Sequence, residues 1–178
     1  MIAAQLADLI GAEQVSADDE TLAAHRFDRW CLKHWQDWQG EALDAPACVV
    51  RPRDTADVQA VVRFAAEHNV PIVPWGLGSG VCGGVEPRPD QVLIDMSAMN
   101  QVLSIDEENL LLTVEAGING LVAEEAVAER GLTTGRNRSV SARSAAGCRP
   151  VPRANFRPRM ATSKISFMPL RWCWPMAS

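Results

Sequence analysis

The sequence predicts an α+β fold that begins with a parallel α/β unit, and three observations support this prediction. Apolar segments at 47–51 and 72–75 enclose a segment with helical periodicity, as in a strand–helix–strand unit. Such a unit requires parallel strands and a right-handed crossover. A glycine-rich loop follows the second segment, and three more apolar segments predict strands at 92–96, 101–105 and 110–115.

Residues 1–45 predict a helical arm. The first ten residues have an amphipathic pattern that contains Asp8 and lacks the basic start of a secretion signal. Trp30, Trp35 and Trp38 follow close together, but few cations accompany them, which disfavours a nucleic-acid platform. We therefore expect this arm to pack on the domain that follows it.

The two helices of that domain have predictable ends and faces. Asp54 or Thr55 caps a helix that ends near Asn69. Its inward face is predicted to consist of Val58, Val61, Val62, Ala65 and Ala66. A second helix, at 119–130, ends at Gly131. Its inward face is predicted to consist of Leu121, Val122, Ala126 and Val127.

Composition argues against several classes of protein. No apolar run reaches the roughly 18 residues of a membrane-spanning helix. The five cysteines are odd in number and form no C-x-x-C pair, so neither a disulfide framework nor a zinc site is predicted. Cys31 and His34 could supply half of a metal site, but we favour a packed thiol beside an imidazole. We expect a cytoplasmic protein with no bound metal.

The loop between Pro71 and Gly84 gives the strongest indication of function. It reads PIVPWGLGSGVCGG and contains five glycines. Glycine removes the Cβ atoms that keep a ligand at a distance, so backbone N–H groups can converge on a phosphate. An ordinary turn is the alternative. The spacing matches neither the dinucleotide fingerprint G-x-G-x-x-G nor a P-loop, and no lysine follows.

Residues 47–135 resemble the FAD-binding domain of the vanillyl-alcohol oxidase and p-cresol methylhydroxylase family. The resemblance rests on the stretches VVRPRDTADVQAVVRFAAEHNVPIVPWGLGSGVCGG, VLIDMSAMNQVLSIDEENLLLTVEAGI and ERGLTTG. Within the family it is strongest to the FAD-linked oxidases, which include the FAD-linked subunit of glycolate oxidase, D-lactate dehydrogenases and alkyldihydroxyacetonephosphate synthase. It implies that residues 46–135 form the first α/β subdomain of this domain and the start of the second.

In that family the glycine loop wraps the FAD diphosphate. The resemblance assigns this role to Trp75, Gly76, Leu77, Gly78, Ser79, Gly80 and Val81, with Gly83 and Gly84 completing the turn. Some members attach the flavin covalently through a loop histidine. Ser79 stands at about that place here, so we expect non-covalent FAD. Gly117 would either leave room for the cofactor beside the sheet or act as a plain turn glycine.

The resemblance implies a flavin-dependent oxidoreductase acting on a small 2-hydroxy acid of the glycolate or D-lactate type. A base from a separate C-terminal domain would take the hydroxyl proton, and no residue of this chain is identified as catalytic. The alternative enzyme is an alkyldihydroxyacetonephosphate synthase. The family's second flavin-contacting stretch, which begins with a His-x-Pro-x-Ser run, is not present after Gly135. We therefore expect this chain to be inactive alone.

Residues 136–178 form a basic tail that differs from the rest of the chain. They contain nine basic residues and no acid, whereas residues 1–135 hold all 22 acids and eight basic residues. We interpret this irregular tail as the family sequence read out of frame, because a shifted reading of 146–177 permits a string that resembles the family. The third bases of the coding DNA test this directly. The alternative is a disordered, non-enzymatic arm that binds nucleic acid.

Overall fold

The computed structural model describes residues 2–134, together with the backbone of residues 162–166 and 168–169. Within these ranges the α-helices are α1 (Ile2–Ile10), α2 (Asp19–Ala24), α3 (Cys31–Trp38), α4 (Thr55–His68) and α5 (Gly120–Ala128). The strands are β1 (Val15–Ser16), β2 (Cys48–Val50), β3 (Ile72–Trp75), β4 (Val92–Asp95), β5 (Val102–Asp106), β6 (Leu111–Glu115), β7 (Leu132–Thr133), β8 (Thr162–Ser166) and β9 (Met168–Pro169). The predicted α+β fold is confirmed.

The first sheet has the strand order β1-β2-β4-β3. Strands β2, β4 and β3 are parallel, and β1 runs antiparallel to β2 at the edge. The strand–helix–strand unit predicted from the sequence is therefore present, but its two strands are not neighbours. Strand β4 pairs with both of them, since Leu93 lies opposite Val49 on one side and Val73 on the other. The local sequence pattern of a strand–helix–strand unit cannot predict that a later strand, β4, lies between its two strands.

Alternation along the strands divides the apolar side chains between the two faces of this sheet. One face packs against α1 and α4 in a cluster that includes Leu6, Ile10, Val50, Val61, Val92 and Ile94. The other face carries a separate cluster of Val49, Leu93 and Trp75, with Leu22 and Val85 beside it. Successive strand residues point to opposite faces, which explains this division. The second face is the one that borders the glycine loop.

Helix α4 begins and ends as the sequence predicts. The Asp54 carboxylate accepts a hydrogen bond from the backbone N–H of Asp57 at 2.9 Å, and Asn69 adopts a left-handed conformation at the C-terminal end. The predicted face is only partly right. Its buried residues are Val58, Val61, Phe64 and Ala65, whereas Val62 and Ala66 are exposed. The sheet contacts an arc centred between Val58 and Phe64, which places both exposed residues beyond its edge.

The second sheet is antiparallel and has the order β5-β6-β8. Helix α5 covers it and begins at Asn119, whose side chain accepts a hydrogen bond from the Leu121 N–H at 2.8 Å. Ala123 and Val127 are the buried residues of this helix. The prediction that Val122 faces inward is wrong, because its side chain is exposed.

Two short segments of the basic tail form strands, which differs from the irregular tail that the sequence predicts. Strand β8 pairs with β6, and β9 pairs with β7. Without β8, one edge of β6 would have unpaired backbone N–H and C=O groups, and any extended segment can form hydrogen bonds with such an edge. The remainder of residues 135–178, and with it the predictions of disorder and of an out-of-frame reading, lies outside the described residues. No helix in the described part of the chain is long and apolar enough to cross a membrane.

Candidate cofactor-binding site

The glycine loop leaves the first sheet at the carboxyl ends of its parallel strands. Strand β3 ends at Trp75, directly before the loop, and Trp75 lies opposite Asp95 at the end of β4. Arg51 follows the end of β2 at the same edge. In open α/β sheets this edge is where ligands bind. The predicted site therefore lies where the topology favours one.

Three glycines of the loop are required by what packs behind them. Gly78 has a φ of +60°, and an ideal Cβ there would overlap the Trp75 ring, 2.5 Å from its Cη2 atom. Gly83 has a φ of +69°, and its Cβ would lie 2.5 Å from the Trp30 ring. A Cβ at Gly80 would overlap the Asp28 carboxylate. At these positions the absence of a side chain makes room for other protein atoms. What the loop offers to a ligand is therefore its backbone N–H groups.

The backbone donors of the loop are largely unused. Within the described residues, no N–H group from Leu77 to Gly83 donates a hydrogen bond to a protein acceptor. The loop is held at two other groups, since the Arg29 N–H donates to the Gly78 carbonyl and the Gly84 N–H donates to Asp28, each at 3.1 Å. The oxygens of a diphosphate can accept hydrogen bonds from such amides, so a cation is not needed at every oxygen. The loop therefore fits the diphosphate of FAD.

The predicted site residues form one continuous segment that begins at a buried tryptophan and then runs along the surface. Trp75 is buried, and its ring packs 4.9 Å from the imidazole of His25, so its side chain supports the loop from below. Leu77, Gly78 and Ser79 are half-buried, whereas Gly80 and Val81 are exposed. The N–H of Gly84 already donates a hydrogen bond to Asp28, so Gly84 helps to fix the turn and this N–H does not point to a ligand. The outer side of the loop is open to a ligand.

Beneath the loop lies a polar cluster that the sequence reading missed. The Asp95 carboxylate accepts hydrogen bonds from Arg51 Nε at 3.1 Å and from the Ser97 N–H at 2.9 Å. His25 Nε2 lies 3.6 Å from the same carboxylate. Asp95 and His25 are both buried. The position of Asp95 at the end of an apolar strand could have indicated a functional carboxylate. No sequence pattern near His25 predicts that its side chain reaches Asp95.

The cluster determines the charge state of Asp95. Burial alone would raise the pKa of this carboxyl, but His25, the Ser97 backbone and the Arg51 guanidinium together outweigh burial and hold its pKa below the usual value. Asp95 is therefore ionised near neutral pH. It provides a fixed negative charge and a rigid anchor under Trp75 and the loop.

Gly117, His34 and Trp30 serve packing. An ideal Cβ at Gly117 would lie 2.5 Å from the Met96 carbonyl carbon, so protein backbone, and not a cofactor, occupies the space beside this glycine. His34 packs edge-on against Phe27, with ring centroids 5.0 Å apart. No group of three potential metal ligands occurs among the residues that the structure describes. Trp35 and Trp38 are exposed, whereas the Trp30 ring packs against Gly83 of the loop.

The cysteines differ in their surroundings. Cys48 is buried in β2, and burial raises the pKa of its thiol to about 11. Cys31 is exposed, so the prediction of a packed thiol at this position is wrong. Cys82 is also exposed and lies within the glycine loop. Cys48 is thus an unreactive core residue.

A carboxylate also fixes the chain just before residue 135. Glu124, on α5, accepts a hydrogen bond from the Thr134 N–H at 3.0 Å and others from the hydroxyl groups of Thr133 and Thr134. The resemblance places the second flavin-contacting stretch directly after this point. Glu124 therefore sets the direction in which the chain leaves β7.

This chain is similar to several known proteins. Residues 46–148 match a protein-family model described as an FAD binding domain. The glycolate oxidase protein GlcD of Bacillus subtilis is 41% identical over 87 residues, which make up 49% of this chain and 18% of that protein. The uncharacterized FAD-linked oxidoreductase YgcU of Escherichia coli is 36% identical over 135 residues, which make up 75% of this chain and 28% of that protein.

Solved structures show the same fold. An alkyldihydroxyacetonephosphate synthase superposes with a TM-score of 0.74 and 25% identity over 82% of this chain and 29% of its own. A p-cresol methylhydroxylase with substrate bound superposes with a TM-score of 0.60 and 23% identity over 74% of this chain and 25% of its own. The chain thus spans less than a third of each of these relatives. It belongs to the family of FAD-linked oxidoreductases that share this FAD-binding domain, and its cofactor is FAD.

Proposed function

We propose that the loop from Trp75 to Gly84 holds the FAD diphosphate non-covalently, through backbone N–H groups. One observation carries this proposal: the N–H groups from Leu77 to Gly83 donate to no acceptor within the described residues, at the carboxyl edge of a parallel sheet. Hydrogen bonds to an anionic oxygen are stronger than those between neutral groups. The Ser79 hydroxyl supplies a further donor, and the absence of a loop histidine supports non-covalent binding.

The reaction that we propose for the whole protein is oxidation of a small 2-hydroxy acid, such as glycolate or D-lactate. The 41% identity to the glycolate oxidase protein GlcD favours this substrate class. FAD, when bound, supplies the hydride acceptor. The residues of this chain bind and orient it, with the loop at its diphosphate and the Asp95 cluster holding the base of the loop. We assign no acid or base here and expect the 178-residue chain to reduce no dye acceptor alone.

A second candidate is alkyldihydroxyacetonephosphate synthesis. It is favoured by the TM-score of 0.74 to a synthase of that name, over 82% of this chain. Both candidates use the same FAD-binding domain, so the loop has the same role in each. A longer protein containing this chain would distinguish them by oxidation of D-lactate or glycolate with a dye acceptor.

Flavin titration tests the proposed role of the loop. Fluorescence polarisation should show that the chain binds FAD at least about tenfold more tightly than riboflavin, which lacks the diphosphate. ADP should displace FAD, because it carries the same diphosphate group. Equal affinity for riboflavin and FAD would contradict the proposal.

Gly78→Ala should weaken FAD binding by about tenfold or more. Its Cβ would collide with the Trp75 ring and its φ of +60° is strained for alanine, so the loop must change shape. Gly131→Ala is the matched control, because Gly131 has a φ of +71° but no atom within 4 Å of its Cβ position. The control should retain the wild-type FAD dissociation constant. Equal losses in both variants would show that the loop geometry is not responsible.

A further inference from the structure

Asp28 links the N-terminal arm to the far end of the glycine loop. Its side chain is only 2% exposed. One carboxylate oxygen accepts a hydrogen bond from the Trp30 N–H at 3.0 Å, and the other accepts one from the Gly84 N–H at 3.1 Å. These two donors lie more than fifty positions apart in the sequence, so the carboxylate joins two separate segments.

The contact extends along the whole back of the loop. The Arg29 N–H donates to the Gly78 carbonyl at 3.1 Å. An ideal Cβ at Gly80 would lie 3.3 Å from the Asp28 Cγ and would overlap its Oδ2. The Trp30 ring fills the Cβ side of Gly83. The turn Asp28–Trp30 thus supports the loop from Gly78 to Gly84, and none of these contacts uses an N–H group between Leu77 and Gly83.

The chemistry of this contact requires a carboxylate. A buried ionised group is tolerated only when hydrogen bonds replace its hydration. A carboxylate can accept from two backbone donors at once, whereas an amide of the same shape would turn an NH₂ group toward one of them. Asparagine at this position would therefore break one of the two bonds and leave a partly buried N–H facing another donor.

We infer that Asp28 is a positioning residue for the cofactor: it holds the glycine loop in its FAD-binding conformation without touching FAD. This inference rests on the proposed role of the loop. The predicted N-terminal arm then forms part of the cofactor site, although none of its residues was assigned there from the sequence. The supported loop keeps its free N–H groups in place before FAD arrives, which reduces the ordering cost of binding.

The test uses Asp28→Asn in the full chain, with Asp44→Asn as the matched control. Asp44 is exposed and loses the same charge. Hydrogen exchange by NMR on the FAD-free protein should be about tenfold faster at the Arg29, Trp30 and Gly84 amides in Asp28→Asn, and unchanged at Leu93 in the sheet. The FAD dissociation constant should rise about tenfold. The control should change neither quantity.

A second variant covers the case in which Asp28→Asn does not fold. Gly80→Ala introduces a Cβ against the same carboxylate and should give the same two changes. Because both substitutions disturb one contact, their combined effect on FAD affinity should be smaller than the sum of the two.

The possible results separate this inference from the proposed function. Faster exchange with unchanged FAD affinity would mean that Asp28 only docks the arm, and would overturn the inference. Unchanged exchange would show that the carboxylate does not hold the loop, and would also overturn it. If the wild-type chain bound no FAD, the proposed function would fail together with the cofactor role of Asp28, even where the exchange data still showed a supported loop.

Discussion

Replacing Gly117 with alanine is expected to lower the Tm of the chain by about 10 °C. The new Cβ would lie 2.5 Å from the Met96 carbonyl carbon and 2.7 Å from the Met99 carbonyl oxygen. Both neighbours are backbone, so no side chain can rotate away. The Gly117 N–H also donates to the Met99 carbonyl at 2.8 Å, which ties the end of β6 to the segment after β4. We expect a loss of about 3 kcal/mol in the free energy of unfolding.

Gly40→Ala is the control for this experiment. Gly40 has a φ of +77°, but no atom lies within 4 Å of its Cβ position. Alanine there should cost about 1 kcal/mol through backbone strain alone. Thermal unfolding followed by circular dichroism measures both variants. If Gly117→Ala were no less stable than Gly40→Ala, the two sheets would not be joined as tightly as the structure indicates.

Asp95→Asn is expected to lower the free energy of unfolding by about 2 kcal/mol at pH 7. It removes the charged partner of Arg51 and His25, and the buried His25 has no solvent to replace that contact. Urea unfolding at pH 7 measures the loss. Asp44→Asn, at an exposed position, should be within about 0.5 kcal/mol of the wild type.

The stability difference between the wild type and Asp95→Asn should depend on pH. The folded-state pKa of Asp95 is lowered, so its stabilising contribution is complete above the unfolded pKa of about 3.9 and is lost as the pH falls through the folded-state pKa. The stability difference between wild type and Asp95→Asn should therefore shrink as the pH falls below about pH 4. A difference that stayed the same down to pH 2 would contradict the assignment.

Local sequence signals predicted the elements well and their arrangement less well. The ends of α4 follow from Asp54 and Asn69, which act through contacts within a few residues. The insertion of β4 between β2 and β3 does not, because strand order depends on how apolar faces pack across the whole chain. The errors at Val62 and Val122 have a similar cause, since periodicity predicts a stripe but not which edge of it meets the sheet.

The candidate site shows the same limit. The loop could be proposed as the site from the sequence because its glycines are closely spaced. Asp28 could not, because its partner Gly84 lies far along the chain and an isolated aspartate carries no local signal. The glycine spacing also does not show that Gly78 and Gly83 are needed beside the rings of Trp75 and Trp30. Contacts of this kind become visible only when the segments are placed together.

NMR mapping of FAD binding tests the central claim most directly. In the ¹⁵N-labelled chain, FAD should produce its largest amide shifts between Leu77 and Gly83, and riboflavin should leave those amides unchanged because it has no diphosphate. This result would place the diphosphate at the free N–H groups of the loop. Saturating FAD that shifted amides elsewhere, such as those around the exposed Trp35 and Trp38, and left the loop unmoved would contradict the claim.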